Sequence, residues 1–264
     1  IVKAKFIKNF SPLLKNAFHC DIICNCKRKA EEALMIISGL QKLTLLDFPG
    51  KTACTVFLGG CNFRCPFCHN SSLVLSAGEG ERIPEEEFFA FLEGRKNRLD
   101  GVAITGGEPL ITDETENFIE KIKSMGYAVK LDTNGAFPER LRRLTGKGLV
   151  DYVAMDIKNS PHKYAQTIGL DSAPLGKIEE SIHILMSGSV DYEFRTTLVK
   201  GFHTEDDIKT IGKWLSGADK WYLQAFKDSG DLISGGLCGF ERDEYLRLLD
   251  TARRFVPNAQ LRGL

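Results

Sequence analysis

Three cysteines lie within eight residues of one another, directly after two glycines. Cys61, Cys65 and Cys68 follow Gly59-Gly60 with the spacing C-x3-C-x2-C. Three thiolates on one loop can bind three irons of a cubane cluster, which leaves the fourth iron without a protein ligand. An open metal position is the general mark of a catalytic site rather than a structural one. The spacing therefore predicts a reactive metal centre on this loop.

Two other kinds of site are compatible with the same spacing. A structural zinc ion could be completed by His69 or by the distant Cys54 or Cys238. An ordinary electron-transfer cluster would need a fourth cysteine, for which only Cys54 is a distant candidate. Cys54 lies in an apolar segment typical of a buried strand, and Cys238 lies in a glycine-rich segment. By itself, the loop indicates iron or zinc with an unfilled position.

A second motif, Thr105-Gly106-Gly107-Glu108-Pro109, follows the apolar segment GVAIT. Two glycines expose main-chain donors and carbonyls to a ligand that approaches closely. Glu108 adds an acceptor for an ammonium group. Such a sequence can also be an ordinary turn, so its position one β–α unit after the cysteine loop gives it its weight.

The elements that must position these residues alternate regularly from Ile36 onward. Apolar strands alternate with amphipathic helices, which predicts a parallel sheet with right-handed crossovers. Six such units fall short of the eight of a closed barrel, so an open partial barrel or a doubly wound sheet fits. In both, ligands bind at the carboxyl ends of the strands. The predicted strands are Thr52–Leu58, Gly101–Thr105, Tyr127–Asp132, Asp151–Ile157, Asp191–Leu198 and Lys220–Ala225.

The composition excludes some classes of protein. Lys and Arg together number 35, as do Asp and Glu, so the formal net charge is zero. A nucleic-acid or anionic-membrane binder draws much of its affinity from excess basic charge, so neither partner is expected. A hydrophobic fraction of 43% supports a sizeable core. No apolar run reaches the length of a membrane span, and clustered cysteines are typical of cytosolic metal proteins, so a cytoplasmic location is expected.

Residues 1–34 differ in character from the remainder. They precede Met35, the first methionine, and show little periodicity. We expect a poorly ordered extension, or a stretch upstream of the natural start, followed by one domain over residues 35–264. The cysteines Cys20, Cys24 and Cys26 could form a second metal site, but they lack a convincing fourth ligand.

Taken together, the motifs resemble a known family. The cysteine loop, with the aromatic Phe67 before Cys68, and the GGEP motif after it resemble the radical S-adenosylmethionine enzymes, and the resemblance extends from Ile36 to about Leu264. Within that superfamily, LDTNG at 131–135 and MDIK at 155–158 resemble the subgroup that activates glycyl-radical enzymes. The segment LTLLDFPGK at 43–51 resembles the anaerobic ribonucleoside-triphosphate reductase activating proteins.

The resemblance implies a fold and two cofactors. The fold would be an open, partial (β/α)6 barrel of the radical S-adenosylmethionine type. Cys61, Cys65 and Cys68 would hold a [4Fe–4S] cluster whose open iron chelates the amino and carboxylate groups of S-adenosylmethionine. Phe67 and His69 would contact the adenine, and Gly106, Gly107 and Glu108 would bind the ammonium group. Asp132 and Asn134 would bind the ribose or a cation. The carboxylate would be contacted by Asp156, Lys158 and Arg195.

The resemblance also implies an activity. Reductive cleavage of S-adenosylmethionine would give a 5′-deoxyadenosyl radical, which would form a glycyl radical on an anaerobic ribonucleotide reductase. A flavodoxin- or ferredoxin-type protein would supply the electron, and no side chain need act as a general base. Activases of pyruvate formate-lyase carry a histidine near the sixth strand, where this chain has LQAF at 223–226, which favours a different activase. A radical enzyme acting on a small molecule is the alternative.

Overall fold

The computed structural model describes residues 35–77, 80, 82–228 and 230–264. Met35–Leu264 form one compact unit. The predictions made for residues 1–34, including those for Cys20, Cys24 and Cys26, lie outside the described residues. Among the described helices, none has the length and apolar character needed to cross a membrane.

One sheet of eight strands organises the described part of the chain, with its strands ordered as they occur in the sequence. The first strand is antiparallel to the second, and every later strand is parallel to the one before it. The first and last strands form the two edges, so the sheet is open. The strands are β1 Ile37–Thr44, β2 Ala53–Leu58, β3 Gly101–Gly106, β4 Ala128–Thr133, β5 Tyr152–Asp156, β6 Asp191–Leu198, β7 Trp221–Ala225 and β8 Gln260–Arg262.

The prediction of an open, partial (β/α)6 barrel is confirmed. The six predicted strands correspond to β2–β7, each within one residue of its observed ends. Their long apolar runs reflect burial on both faces, as expected for parallel strands covered by helices. In β2, for example, Ala53, Cys54 and Val56 are all 0% exposed.

Two edge strands have no counterpart among the predicted strands. In β1, ISGLQKLT, the ends are buried and the middle is exposed, so the sequence lacks the alternation that marks a strand. The pairing of β1 with β2 also contains two register irregularities, which interrupt the regular alternation of side chains between the two faces of the sheet. β8 has only three residues. Its last residue, Arg262, is held by a two-point ion pair to Glu193 on β6, a tertiary contact that local pattern does not reveal.

The helices between the strands bury one apolar face each. In the helix Glu114–Ser124, that face consists of Phe118, Ile119 and Ile122, which are at most 1% exposed. The helix Glu205–Trp214 begins with a reciprocal capping box between Thr204 and Asp207. In chain order the described helices are α1 Ser71–Leu75, α2 Glu85–Glu93, α3 Glu114–Ser124, α4 Pro138–Gly146, α5 Tyr164–Thr167, α6 Leu175–Met186, α7 Glu205–Trp214 and α8 Arg242–Arg253.

Candidate functional site

A cavity of about 240 Å³ lies at the carboxyl ends of the parallel strands. Its walls come from the cysteine loop that follows β2 and from the ends of β3 to β7. Twelve of the thirteen residues predicted to form the site line this cavity. They are Cys61, Cys65, Phe67, Cys68, His69, Gly106, Gly107, Asp132, Asn134, Asp156, Lys158 and Arg195.

Glu108 is the predicted residue that does not line the cavity. Its side chain is 1% exposed, and its carboxylate accepts hydrogen bonds from the main-chain N–H of Asn134 at 2.6 Å and of Leu110 at 2.9 Å. The Thr133 hydroxyl donates a third bond at 2.8 Å. Burial raises the pKa of Glu108 to about 7, against the effect of these donors. The carboxylate therefore lies behind the cavity wall and ties the end of β3 to the end of β4.

The cysteine loop is held by hydrogen bonds to its own backbone and to a neighbouring segment. The Arg64 guanidinium donates to the carbonyls of Cys61 at 2.6 Å and Phe63 at 2.8 Å. The main-chain N–H of Arg64 donates to the Ile168 carbonyl at 2.8 Å, and Phe63 is 2% exposed. The loop thus has a defined shape in which its thiols face the cavity.

The thiols fit a soft metal centre. Burial raises the pKa of Cys61 to about 12 and that of Cys65 to about 11, so both are protonated at neutral pH unless a metal stabilises the thiolate. Thiolate donors favour iron–sulfur clusters or zinc over hard cations. In the described part of the chain, no three His, Cys, Asp or Glu side chains are grouped closely enough to hold a single metal ion.

The residues considered as a fourth zinc ligand are placed elsewhere or are already engaged. Cys54 is fully buried in β2, and Cys238 is exposed; neither lines the cavity. His69 lines the cavity, but its Nε2 lies 2.6 Å from the Lys227 carbonyl oxygen.

The Gly106-Gly107 pair allows β3 to contact the backbone of the cysteine loop. A Cβ on Gly106, whose φ is +117°, would lie 2.3 Å from the Leu58 carbonyl oxygen. A Cβ on Gly107 would lie 1.9 Å from the Gly60 carbonyl oxygen. Two main-chain hydrogen bonds of 2.8 Å, from Gly107 to Leu58 and from Glu108 to Gly60, join the segments. Both glycines are therefore required by close approach.

A network of charged side chains forms another part of the cavity wall. Arg195 on β6 donates to Asp156 at 2.8 Å and to Asp132 at 3.1 Å, while Lys158 reaches Asp156 at 2.8 Å. Lys130, only 3% exposed, pairs with Asp132. Burial acts to raise the pKa of both aspartates, but the Arg195 guanidinium together with Lys130 at Asp132 and Lys158 at Asp156 more than offsets it, so the pKa of each carboxyl lies below its usual range. At the cavity, the cations Lys158 and Arg195 balance the two carboxylates, and Lys130 adds a third cation behind Asp132.

Arg195→Met is expected to lower the free energy of unfolding by about 3 kcal/mol at pH 7, because two largely buried carboxylates lose a shared partner. The loss should shrink as the pH falls below about 4. Both aspartates have lowered pKa values in the fold, so the stability they contribute is present above the unfolded value and disappears as they protonate. Urea unfolding of both proteins at several pH values measures this difference.

Arg142→Met is the matched control for that substitution. Arg142 pairs with Glu180 and Glu139 on the surface, with half of its side chain exposed, and such pairs contribute about 0–1 kcal/mol. An Arg195 variant no less stable than the Arg142 variant would show that the two aspartates do not depend on the guanidinium.

Some residues of the site were not predicted from the sequence. Lys130 is the clearest example, although the sequence contains a pattern that indicates its role. Lys130 and Asp132 are two residues apart on β4, so their side chains lie on the same face of the strand. Lys130 lies behind the cavity wall, and the unpredicted residues that line the cavity are all uncharged: Phe63, Asn70, Val74, Thr105, Thr133, Thr197 and Gln224. Nothing in their types distinguishes them from ordinary strand-end or loop residues.

His203 supports the wall from behind. It is 2% exposed; its Nδ1 accepts from the Val199 N–H at 3.1 Å, and its Nε2 donates to the Lys158 carbonyl at 2.8 Å. Its ring lies edge-on to Phe67 at 6.3 Å. Burial lowers the pKa of His203, in keeping with a neutral ring. The residue thus fixes the backbone that carries Lys158.

An open α/β barrel with three loop cysteines at the carboxyl edge of its strands defines a class of enzymes that bind an iron–sulfur cluster. The family model described as Radical SAM superfamily matches residues 55–215. The chain belongs to the radical S-adenosylmethionine superfamily, and this membership implies a [4Fe–4S] cluster and S-adenosylmethionine as cofactors.

Proteins similar to this chain have different named functions. A protein of Methanocaldococcus jannaschii, provisionally named a glycyl-radical enzyme activating enzyme, is 32% identical over 235 residues, 87% of this chain and 96% of that protein. The 7-carboxy-7-deazaguanine synthase of Koribacter versatilis is 27% identical over 167 residues, 62% of this chain and 70% of that protein.

Among solved structures, Streptococcus suis SuiB bound to S-adenosylmethionine superposes with a TM-score of 0.59 at 14% identity. The match covers 77% of this chain and 48% of SuiB, so the chain spans about half the length of that protein. At this identity, the likeness concerns the fold alone.

Proposed function

We propose that this chain cleaves S-adenosylmethionine at a [4Fe–4S] cluster held by Cys61, Cys65 and Cys68. The resulting 5′-deoxyadenosyl radical would then form a glycyl radical on a partner enzyme. One observation carries the proposal. The three loop thiols, the glycine edge of β3 and a wall of paired cations and carboxylates share a single cavity at the carboxyl ends of the parallel strands.

The cofactors supply the radical chemistry. The protein binds and orients them and excludes water from the site. A bound, reduced cluster would supply one electron to S-adenosylmethionine, giving methionine and a 5′-deoxyadenosyl radical. Phe63 and Phe67, at 2% and 4% exposed, place apolar surface beside the thiols. No side chain is assigned the role of a general base.

The charged wall suits the carboxylate end of S-adenosylmethionine. Its two cations, Lys158 and Arg195, line the cavity and are already oriented by Asp156, and Arg195 is also paired with Asp132. We assign the carboxylate contact to Lys158 and Arg195, with Asp156 as the group that positions both. Asp132 and Asn134, at the end of β4, are assigned to the ribose or to a bound cation.

The glycine edge of β3 and the aromatic part of the cysteine loop suit the ammonium and adenine groups. The Gly107 N–H already donates to Leu58, and the Gly106 carbonyl already accepts from the Asn70 amide at 2.9 Å. We therefore assign the ammonium to the Gly107 carbonyl oxygen and to the second lone pair of the Gly106 carbonyl oxygen. Phe67 supplies an aromatic ring for the adenine, and we assign His69 a backbone contact, since its ring Nε2 lies 2.6 Å from the Lys227 carbonyl oxygen. Glu108, behind this wall, positions the end of β3.

The proposed partner is an anaerobic ribonucleoside-triphosphate reductase. The Methanocaldococcus jannaschii relative supports the activase class, since the alignment covers most of both proteins. The segment at 43–51 supports the reductase as the specific partner. We also propose that residues 35–264 form the radical S-adenosylmethionine domain and that residues 1–34 are an extension to it. The proposed electron donor is a flavodoxin- or ferredoxin-type protein, and the proposed location is the cytoplasm.

The test is a reconstitution of the full chain under anaerobic conditions with iron and sulfide, followed by reduction and addition of S-adenosylmethionine. Formation of 5′-deoxyadenosine and methionine is expected by chromatography. With the reductase added, a persistent glycyl doublet is expected in the electron paramagnetic resonance spectrum, and it should be lost when the radical-bearing glycine of the reductase is replaced by alanine.

The deazaguanine synthase relative supports one alternative, a reaction on a small purine-related molecule. Cleavage of S-adenosylmethionine without a glycyl signal on the reductase, but with turnover of such a molecule, would replace the activase assignment by this one. A fully loaded cluster that cleaves no S-adenosylmethionine would overturn the proposed reaction itself.

A further inference from the structure

The main chain two residues after Asn134 orients the Asn134 side chain towards the cysteine loop. Its Oδ1 accepts a hydrogen bond from the Ala136 N–H at 3.0 Å. That donor determines which end of the amide is the oxygen, because the reversed amide would place two donors against each other. The Nδ2 group therefore points away from Ala136, into the space shared with the cysteine loop.

Two acceptors on the cysteine loop lie near this Nδ2 group. The Asn62 Oδ1 is 2.8 Å away, and the Cys61 Sγ is 3.9 Å away. An amide nitrogen carries two hydrogens, so both acceptors can be served at once. The main-chain N–H of Phe63 donates to the same sulfur at 3.4 Å. Cys61 thus receives one donor from its own loop and a second from the end of β4.

The position of Asn134 is fixed by the buried carboxylate behind the cavity. Its main-chain N–H donates to Glu108 at 2.6 Å, and the residue is only 5% exposed. Glu108 is in turn tied to the cysteine loop through its own N–H, which donates to the Gly60 carbonyl at 2.8 Å. The donor therefore lies on a buried main chain that hydrogen bonds through Glu108 connect to the cysteine loop.

We propose that Asn134 is a positioning residue that raises the reduction potential of the cluster by donating a hydrogen bond to the Cys61 sulfur. The inference rests on the proposed function, because it takes Cys61 as a cluster ligand. Hydrogen bonds to the ligand sulfurs are one determinant of cluster potentials. Reduction adds negative charge to the cluster, and a donor stabilises the more negative state more strongly.

The test compares the potential of the reconstituted full chain with that of Asn134→Ser, in the absence of S-adenosylmethionine. The serine hydroxyl can still accept from the Ala136 N–H but is too short to reach the sulfur. At a fixed ambient potential, the ratio of reduced to oxidised cluster is expected to fall about threefold to tenfold, a shift of about 30–60 mV to more negative values for a one-electron couple. Electron paramagnetic resonance titration measures it.

Asn134→Asp is the second variant, and Asn62→Asp is its matched control. Both place a carboxylate near Cys61, and the Asn62 variant keeps both an acceptor for Nδ2 and the donor to the sulfur. The Asn134 variant is expected to have the more negative potential of the two. Equal potentials in these variants, or an unchanged potential in Asn134→Ser at full iron content, would overturn the inference. A native chain that takes up no cluster would instead overturn the proposed function.

Discussion

Protein in which Cys65 is replaced by serine is expected to take up no [4Fe–4S] cluster and to cleave S-adenosylmethionine more than about 100-fold more slowly than the native chain. Loss of a residue that merely supports a ligand costs about 10–100-fold, so loss of a ligand should exceed that. Cys65 is 8% exposed, so serine fits the space but offers no thiolate. Iron and sulfide content, visible absorbance and 5′-deoxyadenosine formation measure the effect.

Cys238→Ser is the matched control, since Cys238 is exposed and does not line the cavity. It should retain native iron content and native cleavage. Circular dichroism on both variants separates loss of the cluster from loss of the fold. Full iron content in the Cys65 variant would mean that another residue ligates the metal, and the assignment of the three loop cysteines would then be wrong.

The strands that carry the site were predictable because they are buried on both faces. Segments such as GVAIT and DYVAMDI combine apolar runs with polar or glycine residues at their ends, so both the strand and its boundary are visible in sequence. The two edge strands were not predictable from the sequence, because they are not buried on both faces. β1 carries exposed residues in its middle, and the three residues of β8 are held by the ion pair between Arg262 and Glu193. Neither feature has a local signature.

The site residues were predictable where a motif placed unusual side chains at a strand end. Asp132 and Asp156 follow this pattern, and the structure brings both into direct ion pairs with Arg195, which lies within β6. Glu108 is the exception. Its motif predicts a ligand contact, while its burial depends on how the ends of β3 and β4 meet, and that is a property of the packed fold.

The support behind the site depends on contacts between residues far apart in sequence. His203 holds the Lys158 carbonyl from 45 residues away, and Asn134 reaches Cys61 across 73. A lone histidine, or an asparagine in a turn sequence, has an ordinary structural role in most proteins. The sequence alone therefore identifies the groups that face the cavity better than the groups that hold them there.

Gly107→Ala is expected to destabilise the fold by at least about 2 kcal/mol and to prevent stable cluster uptake. The new Cβ would lie 1.9 Å from the Gly60 carbonyl oxygen, a backbone atom that cannot move aside as a flexible side chain would. To relieve the overlap, the segment after β3 must separate from the cysteine loop. That movement breaks the 2.8 Å bond from the Glu108 N–H to Gly60 and shifts the adjoining Cys61. Thermal unfolding and iron content after reconstitution measure the two effects.

Gly176→Ala is the control that isolates the close contact. A Cβ on Gly176, within α6, would meet no atom within 4 Å, so alanine there should stabilise the protein by about 0.5–1 kcal/mol through its better helix propensity. The two glycine-to-alanine changes are therefore expected to have opposite signs. A Gly107 variant with native stability and native iron content would show that the two loops can separate without cost, and that the glycine pair does not shape the cavity.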